Sequence, residues 1–359
     1  MVGATDLDRN NNFDLIRLFA ALEVAIVHAI VSLELGDDPF ALHVLPGVPI
    51  FFFISGYLIF QSYGASKSIG RYAAKRALRI YPALYVCFAL CVLTLAIIGL
   101  LTNVEPLRLA VWSIAQLTVA QFYNPDFLRS FGTGALNGSL WTISVELQFY
   151  CVTPLLYGLV KRWPIAWLPL IAIFALANVA FSALHDGSTV AKLAMVTFVP
   201  WYFMFMLGAW VSTRPAIVAS VVRSPLWAVG GLFAAVSVAT WQAGLPVGTN
   251  SINPVMFATL GALILKVAYT EPTLAGRLLR GNDLSYGIYI YHMPVFNLLL
   301  WLGLGSSLLY GLAGLAIVAL LAAASWFLVE RPALRLRASG GTGPRAEHSE
   351  RELLPTAGP

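Results

Sequence analysis

An all-α bundle of about ten membrane-crossing helices is the fold class this sequence predicts. Three observations carry it. Of 359 residues, 59% are hydrophobic and 11% charged, against about 25% charged in soluble domains, and the mean hydropathy is +0.78. Apolar runs long enough to cross a bilayer, about 20 residues each, follow one another with only short breaks. Lys and Arg gather in every second break, as positive-inside topology requires. No soluble domain fits between the spans. The net charge of +5 is no nucleic-acid footprint, because the basic residues sit in short loops beside apolar runs.

In order, the expected spans are 13–35, 44–63, 81–102, 140–160, 164–183, 192–212, 225–243, 251–269, 284–304 and 308–329. Lys67, Arg71, Lys75, Arg76 and Arg79 follow the second, Lys161 and Arg162 the fourth, Arg214 and Arg223 the sixth. Arg277 and Arg280 follow the eighth, and Arg331, Arg335 and Arg337 the tenth. All fall on one side if both termini are cytoplasmic; the other side keeps Arg108, Arg129 and Lys192. The stretch 107–121 is short and holds Gln116 and Gln121, so it is expected as an outer-face or re-entrant helix. Residues 1–337 form one membrane domain, and 338–359, polar and rich in Gly and Pro, a disordered cytoplasmic tail. The first run has no small-residue cleavage site, so no signal peptide is expected. Cys87, Cys91 and Cys151 lie inside apolar segments as packing residues.

The first span, FDLIRLFAALEVAIVHAIVSLEL, carries Asp14, Arg17, Glu23 and His28, and charge inside a membrane costs several kcal/mol unless paired or hydrated. Helical spacing sets Arg17, Ala21, Val24 and His28 on one stripe, Arg17 and His28 about 16 Å apart. His28 is a candidate general base; the plainer alternative is a neutral, hydrogen-bonded core imidazole. Glu146, in LWTISVELQFY, lies at about the same depth, about 10 Å below the outer face, so an acid–base pairing with His28 is expected. The alternative is a carboxylate complementing its helix N-terminus. Arg76 and Arg79, one turn apart in RYAAKRALRIYPALY, would form with Arg17 a cytoplasmic socket for phosphate oxygens, or serve only as topology anchors. Ser55-Gly56 permits close approach by a thin ligand or by another helix. In LSYGIYIYHMPV, Tyr289 and His292 precede a membrane proline, which suggests opened backbone beside a cavity or else an aromatic belt. Trp141, just ahead of Glu146, is a further cavity candidate. No His, Cys, Asp or Glu cluster has metal spacing, so no metal is expected, and there is no phosphate loop or nucleophile elbow.

Taken together, FDLIRLFAALEVAIVHA, FFFISGYL, KRALRIYPALY, SLWTISVELQFY, LSYGIYIYHMPV and FLVERP resemble, in order and topology, the acyltransferase-3 family of integral membrane O-acyltransferases. The resemblance runs over residues 8–337. It implies a multi-pass protein of the bacterial inner membrane and an acyl-CoA co-substrate, usually acetyl-CoA, entering from the cytoplasm. No tightly bound cofactor is implied. The acceptor would be a hydroxyl of a glycan or lipid-linked saccharide presented on the outer side. The family's essential histidine maps onto His28, its first-helix arginine onto Arg17, its Arg-Ile-x-Pro arginine onto Arg79 and its Ser-x-Glu carboxylate onto Glu146. On that reading Arg17, Arg76, Arg79 and Ser55 bind the donor, and His28, held by Glu146, takes the acceptor's proton. Trp141, Tyr289 and His292 line the cavity. Direct transfer and an acyl-enzyme both remain open. Glu23 departs from the family pattern, and the sequence has no counterpart to the soluble esterase-like domain of many relatives. A proton-coupled transporter or exporter and a membrane scaffold whose buried charges lock helix register are the rival readings.

Overall fold

The computed structural model describes residues 11–37, 40–183, 187–245, 247, 250 and 252–339. Among them every regular element is helical. Helix α1 (Phe13–Ser32) starts where Asn12 clasps the chain around residues 267–275. The Asn12 amide donates to the Thr270 carbonyl at 2.7 Å, and its Oδ1 accepts from the Ala275 N–H at 2.9 Å. Helix α2 (Gly47–Gly64) begins after Pro46. Its first N–H, from Gly47, is taken at 2.8 Å by buried Glu23 of α1. That gives Glu23 a place the sequence did not: a carboxyl oxygen that accepts one of the free N–H groups at a helix N-terminus. Only glycine fits at 47, since a Cβ would strike the Ala20 carbonyl and Glu23 itself.

Helix α3 (Ile69–Ile97) starts at Ser68, which accepts the Arg71 N–H, so Arg71, Lys75, Arg76 and Arg79 occupy its first turns instead of a loop, and Lys67 alone stays in the connection. The expected span 81–102 is therefore the later part of a 29-residue helix. Helix α4 (Pro106–Leu117) has 12 residues, about 18 Å of rise, too short to cross a bilayer. Helices α5 (Trp141–Arg162) and α6 (Trp167–Ala183) follow.

The expected span 192–212 is broken. A short helix ends at Met195 and α7 (Tyr202–Ser212) starts afresh, with irregular chain around Pro200 between them. Irregular backbone at membrane depth needs partners inside the protein, and it has them. Gln148 of α5 donates to the Val196 carbonyl and accepts the Phe198 N–H, both at 2.9 Å, while Asn178 of α6 donates to the Pro200 carbonyl. After α7 the chain turns by 90° into α8 (Pro215–Arg223). Helices α9 (Leu226–Gln242), α10 (Pro254–Tyr269) and α11 (Ser285–Trp301) have 17, 16 and 17 residues. Helix α12 (Leu308–Ser325) passes through a π turn, Trp326–Glu330, into α13 (Arg331–Ser339). The tail expected from 338 starts inside this helix, which holds residues 338 and 339; its remainder lies outside the described residues. Among the described residues six helices are long and apolar enough to cross a membrane, or seven with the bent α7–α8 pair. The expected ten spans include segments that fold as shorter or broken helices.

Lipid tails are as apolar as side chains, so membrane helices associate through close packing. The closest contact joins α2 and α7: a Cβ on Gly56 would land on the Phe205 carbonyl, and one on Gly208 on the Phe53 carbonyl. Of the two readings of Ser55-Gly56, helix packing accounts for the glycine. Helix α1 packs between α2 and α11, and α11 lies on α12. These contacts bring Arg17, Ser55 and His28 into one interior.

Candidate active site

A cleft of about 400 Å³ opens at the end of the bundle where α1 begins. Its charged lining is Asp14, Arg17, Arg76, Arg79, Glu146 and Asp283. Ser55, Leu58, Ile59 and Ser62 supply one stripe of α2, spaced as one face of a helix must be. Three expected donor-binding arginines and Ser55 therefore do meet. They do not form a simple anionic socket, because carboxylates that sequence reasoning missed are interleaved with them.

Asp283 is the centre of that arrangement. Its Oδ1 accepts the N–H and hydroxyl of Ser285 at the start of α11. Its Oδ2 faces Arg79 Nη2 at 2.5 Å and Arg17 Nη1 at 3.2 Å. Burial alone would raise the Asp283 carboxyl, but the Arg79 and Arg17 guanidiniums outweigh it and hold it well below the usual carboxylate range. Arg79 also lies 3.7 Å from Glu330 Oε2 and over the Tyr286 ring. The π turn inserts an extra residue in the helical repeat just before FLVERP ends, and it carries Glu330 inward to the Ser325 hydroxyl at 3.0 Å. Arg76 differs from its neighbours. Its guanidinium lies over the Tyr150 ring, its buried Nε has no partner, and no carboxylate pairs with it among the described residues.

Behind the cleft, and sharing Arg17, Ser55, Glu146 and Tyr286 with it, lies a narrow chamber of about 50 Å³. Phe51, Phe52, Thr142 and Tyr289 wall it. Glu146 sits at the junction, and its Oε1 accepts from the Ser55 hydroxyl at 3.0 Å and the Tyr150 hydroxyl at 2.5 Å. Tyr289 closes the far end, its hydroxyl 2.6 Å from that of Thr142 and bonded to the Ser139 carbonyl. Trp141 is not part of the lining; as the first residue of α5 it turns toward Trp201, ring centroids 5.1 Å apart.

His28 and Glu146 do not pair. His28 Nδ1 lies 2.8 Å from His292 Nε2, the two rings nearly parallel at 19°. His292 is 0% exposed, its Nδ1 3.2 Å from the Ile288 carbonyl one turn earlier and its ring set against Tyr289. His28 is half-buried and is not among the side chains lining the chamber; the rings of Tyr289 and His292 lie between. Helix α11 runs on through Pro294, so the expected opening is confined to one freed carbonyl. Pro294 cannot donate to the Ile290 carbonyl, which accepts instead from Asn137 at 2.7 Å and Cys87. Asn297 adds a second clasp on the same segment through the Thr133 N–H at 2.9 Å and the Ala135 carbonyl at 2.8 Å. Asp283 stands directly before LSYG and Glu330 inside FLVERP; an acidic residue beside each motif was the available signal.

The chain matches the acyltransferase domain family over residues 10–329. It is 37% identical to nodulation protein 10 of Rhizobium leguminosarum bv. viciae over 92% of this chain and 94% of that one. It is 27% identical to an O-acetyl transferase of Shigella phage Sf6 over 90% and 96%. Against the acyltransferase MdmB of Streptomyces mycarofaciens the identity is 25% over 79% and 78%. No solved structure matches. With six of its helices built to span a bilayer and the match running through nearly all of them, the chain belongs to the acyltransferase-3 family.

Proposed function

We propose that this protein transfers an acyl group, acetyl in the first instance, from acyl-CoA to a hydroxyl of a glycan or lipid-linked sugar. One observation carries the reading: a cleft whose unpartnered guanidinium is Arg76 leads into a narrow chamber that ends at Tyr289, packed on the His292–His28 pair. The donor's phosphates meet Arg76 first, with Arg17 and Arg79 behind it. A guanidinium suits phosphate oxygens because it is always charged and binds them bidentately. The pantetheine arm runs from the cleft past Ser55 and Glu146, covering the separation of about 16 Å between Arg17 and His28. His28 acts as general base toward the acceptor hydroxyl, which attacks the thioester carbonyl. The similarity to an O-acetyl transferase supports acetyl as the group and oxygen as the acceptor atom. The basic loops support a cytoplasmic cleft and cytoplasmic termini in a bacterial inner membrane.

The test uses purified protein in nanodiscs with acetyl-CoA and a crude glycan-lipid extract, following free CoA. Extract-dependent release that His28→Ala abolishes is the expected result. Absence of cleavage or binding of any acyl-CoA by the wild type, alongside movement of solute across proteoliposomes, would favour the transporter instead.

A further inference from the structure

The histidine pair fixes more than proximity. His292 Nδ1 faces the Ile288 carbonyl at 3.2 Å, and a carbonyl can only accept, so Nδ1 of His292 carries a proton. His292 is 0% exposed, and no carboxylate touches either ring among the described residues. Its other ring neighbours are Tyr289 and Phe296 of its own helix, and the Glu23 carboxyl of α1 is engaged by the Gly47 N–H. A buried cation without a counter-charge is costly, so His292 is the neutral imidazole and its Nε2 is a bare acceptor. The atom 2.8 Å from that acceptor is His28 Nδ1, which therefore donates. One proton remains to be placed on neutral His28, and it is placed: Nδ1–H, with Nε2 unprotonated.

We infer that His292 is the positioning residue that locks His28 in the Nδ1–H tautomer and leaves Nε2 as the working base. This deepens the proposed acyl transfer and rests on it. The acceptor O–H gives its proton to His28 Nε2 as the new C–O bond forms at the thioester carbonyl. The C–S bond then breaks, and the same proton passes from His28 Nε2 to the departing CoA sulfur, leaving CoA thiol, acylated acceptor and neutral His28. Throughout, His28 Nδ1–H stays bonded to His292 Nε2, a bond that strengthens while His28 is cationic. His292 holds here the place of the orienting carboxylate in a serine protease, where loss of the correct tautomer costs about 10⁴-fold in turnover. The chain achieves it with a neutral acceptor oriented by a backbone carbonyl.

Solid-state spectra of protein carrying nitrogen-15 histidine, with His28→Ala to assign the signal, report the tautomer without any turnover. His28 is expected with Nδ1 protonated and Nε2 bare, and His292→Leu is expected to release it to the Nε2–H form. In kinetics, His292→Leu is expected to lower kcat about 10²- to 10⁴-fold with KM for acetyl-CoA changed less than about 2-fold. His292→Gln, whose carbonyl can still accept from Nδ1–H, is expected to recover activity to within about tenfold of wild type. A wild-type His28 protonated at Nε2, or equal losses in the Leu and Gln variants with both folded, would overturn the inference. The expected tautomer with no cleavage of acyl-CoA would uphold the positioning and sink the acyl-transfer reading.

Discussion

Arg76 and Arg79 stand one turn apart, yet the surroundings give them different work. Arg79 is held by Asp283 and Glu330, whereas Arg76 has no carboxylate among the described residues. Arg76→Ala is accordingly expected to fold normally and to weaken acyl-CoA binding about 10- to 100-fold, the worth of a lost charged hydrogen bond or two, as read by isothermal titration. Unchanged affinity would place the phosphates elsewhere. Asp283→Asn should act on stability, leaving Arg17 only Asp14 and Arg79 only the more distant Glu330, at a cost of about 1–3 kcal/mol. Because the Asp283 carboxyl is held below its usual range, its contribution is complete above the ordinary carboxylate pKa and is lost only as pH falls through the depressed value. Thermal unfolding should show a constant gap between variant and wild type from about pH 8 to pH 5, closing only in strong acid. A gap that closes near neutrality would contradict this. Spacing made Arg17, Arg76 and Arg79 legible as one site. Glu146, expected near the outer face at the depth of His28, instead lines the cleft with those arginines and points to Ser55 and Tyr150, so it does not meet His28.

Hydropathy located most of the helices, and its misses have physical causes. The break at Pro200 escaped because apolar residues flank it, and what tolerates the break is Gln148 and Asn178, polar side chains donated from α5 and α6. The long start of α3 escaped because its basic residues look like a loop, while Ser68 caps a helix there. Asp283 and Glu330 escaped because their pairing depends on a loop and a π turn that leave no periodic trace. The α2–α7 contact is the most sensitive element-scale feature. Gly56→Ala or Gly208→Ala puts a Cβ on a facing backbone carbonyl, which side-chain movement cannot relieve. Each should cost about 1–3 kcal/mol or more, seen as lower monodisperse yield and an earlier thermal transition in detergent. An unshifted transition would mean that the helices separate more easily than this packing implies.

At the scale of the molecule, the bundle sets a charged cleft at one end, a narrow chamber above it and a histidine pair behind Tyr289. The segment that carries Asn137 is clasped to α11, the helix of His292, through the Ile290 carbonyl and Asn297. On the proposed function, donor binding and proton transfer fall on different residues, so the two should fail independently. The most direct test is steady-state acyl transfer by purified protein, with kcat and KM for acetyl-CoA determined for wild type, Arg76→Ala and His28→Ala. The account predicts a raised KM with largely retained kcat for Arg76→Ala, and for His28→Ala a kcat lower by about 10²-fold or more with acetyl-CoA still bound. Turnover by His28→Ala at the wild-type rate would contradict it.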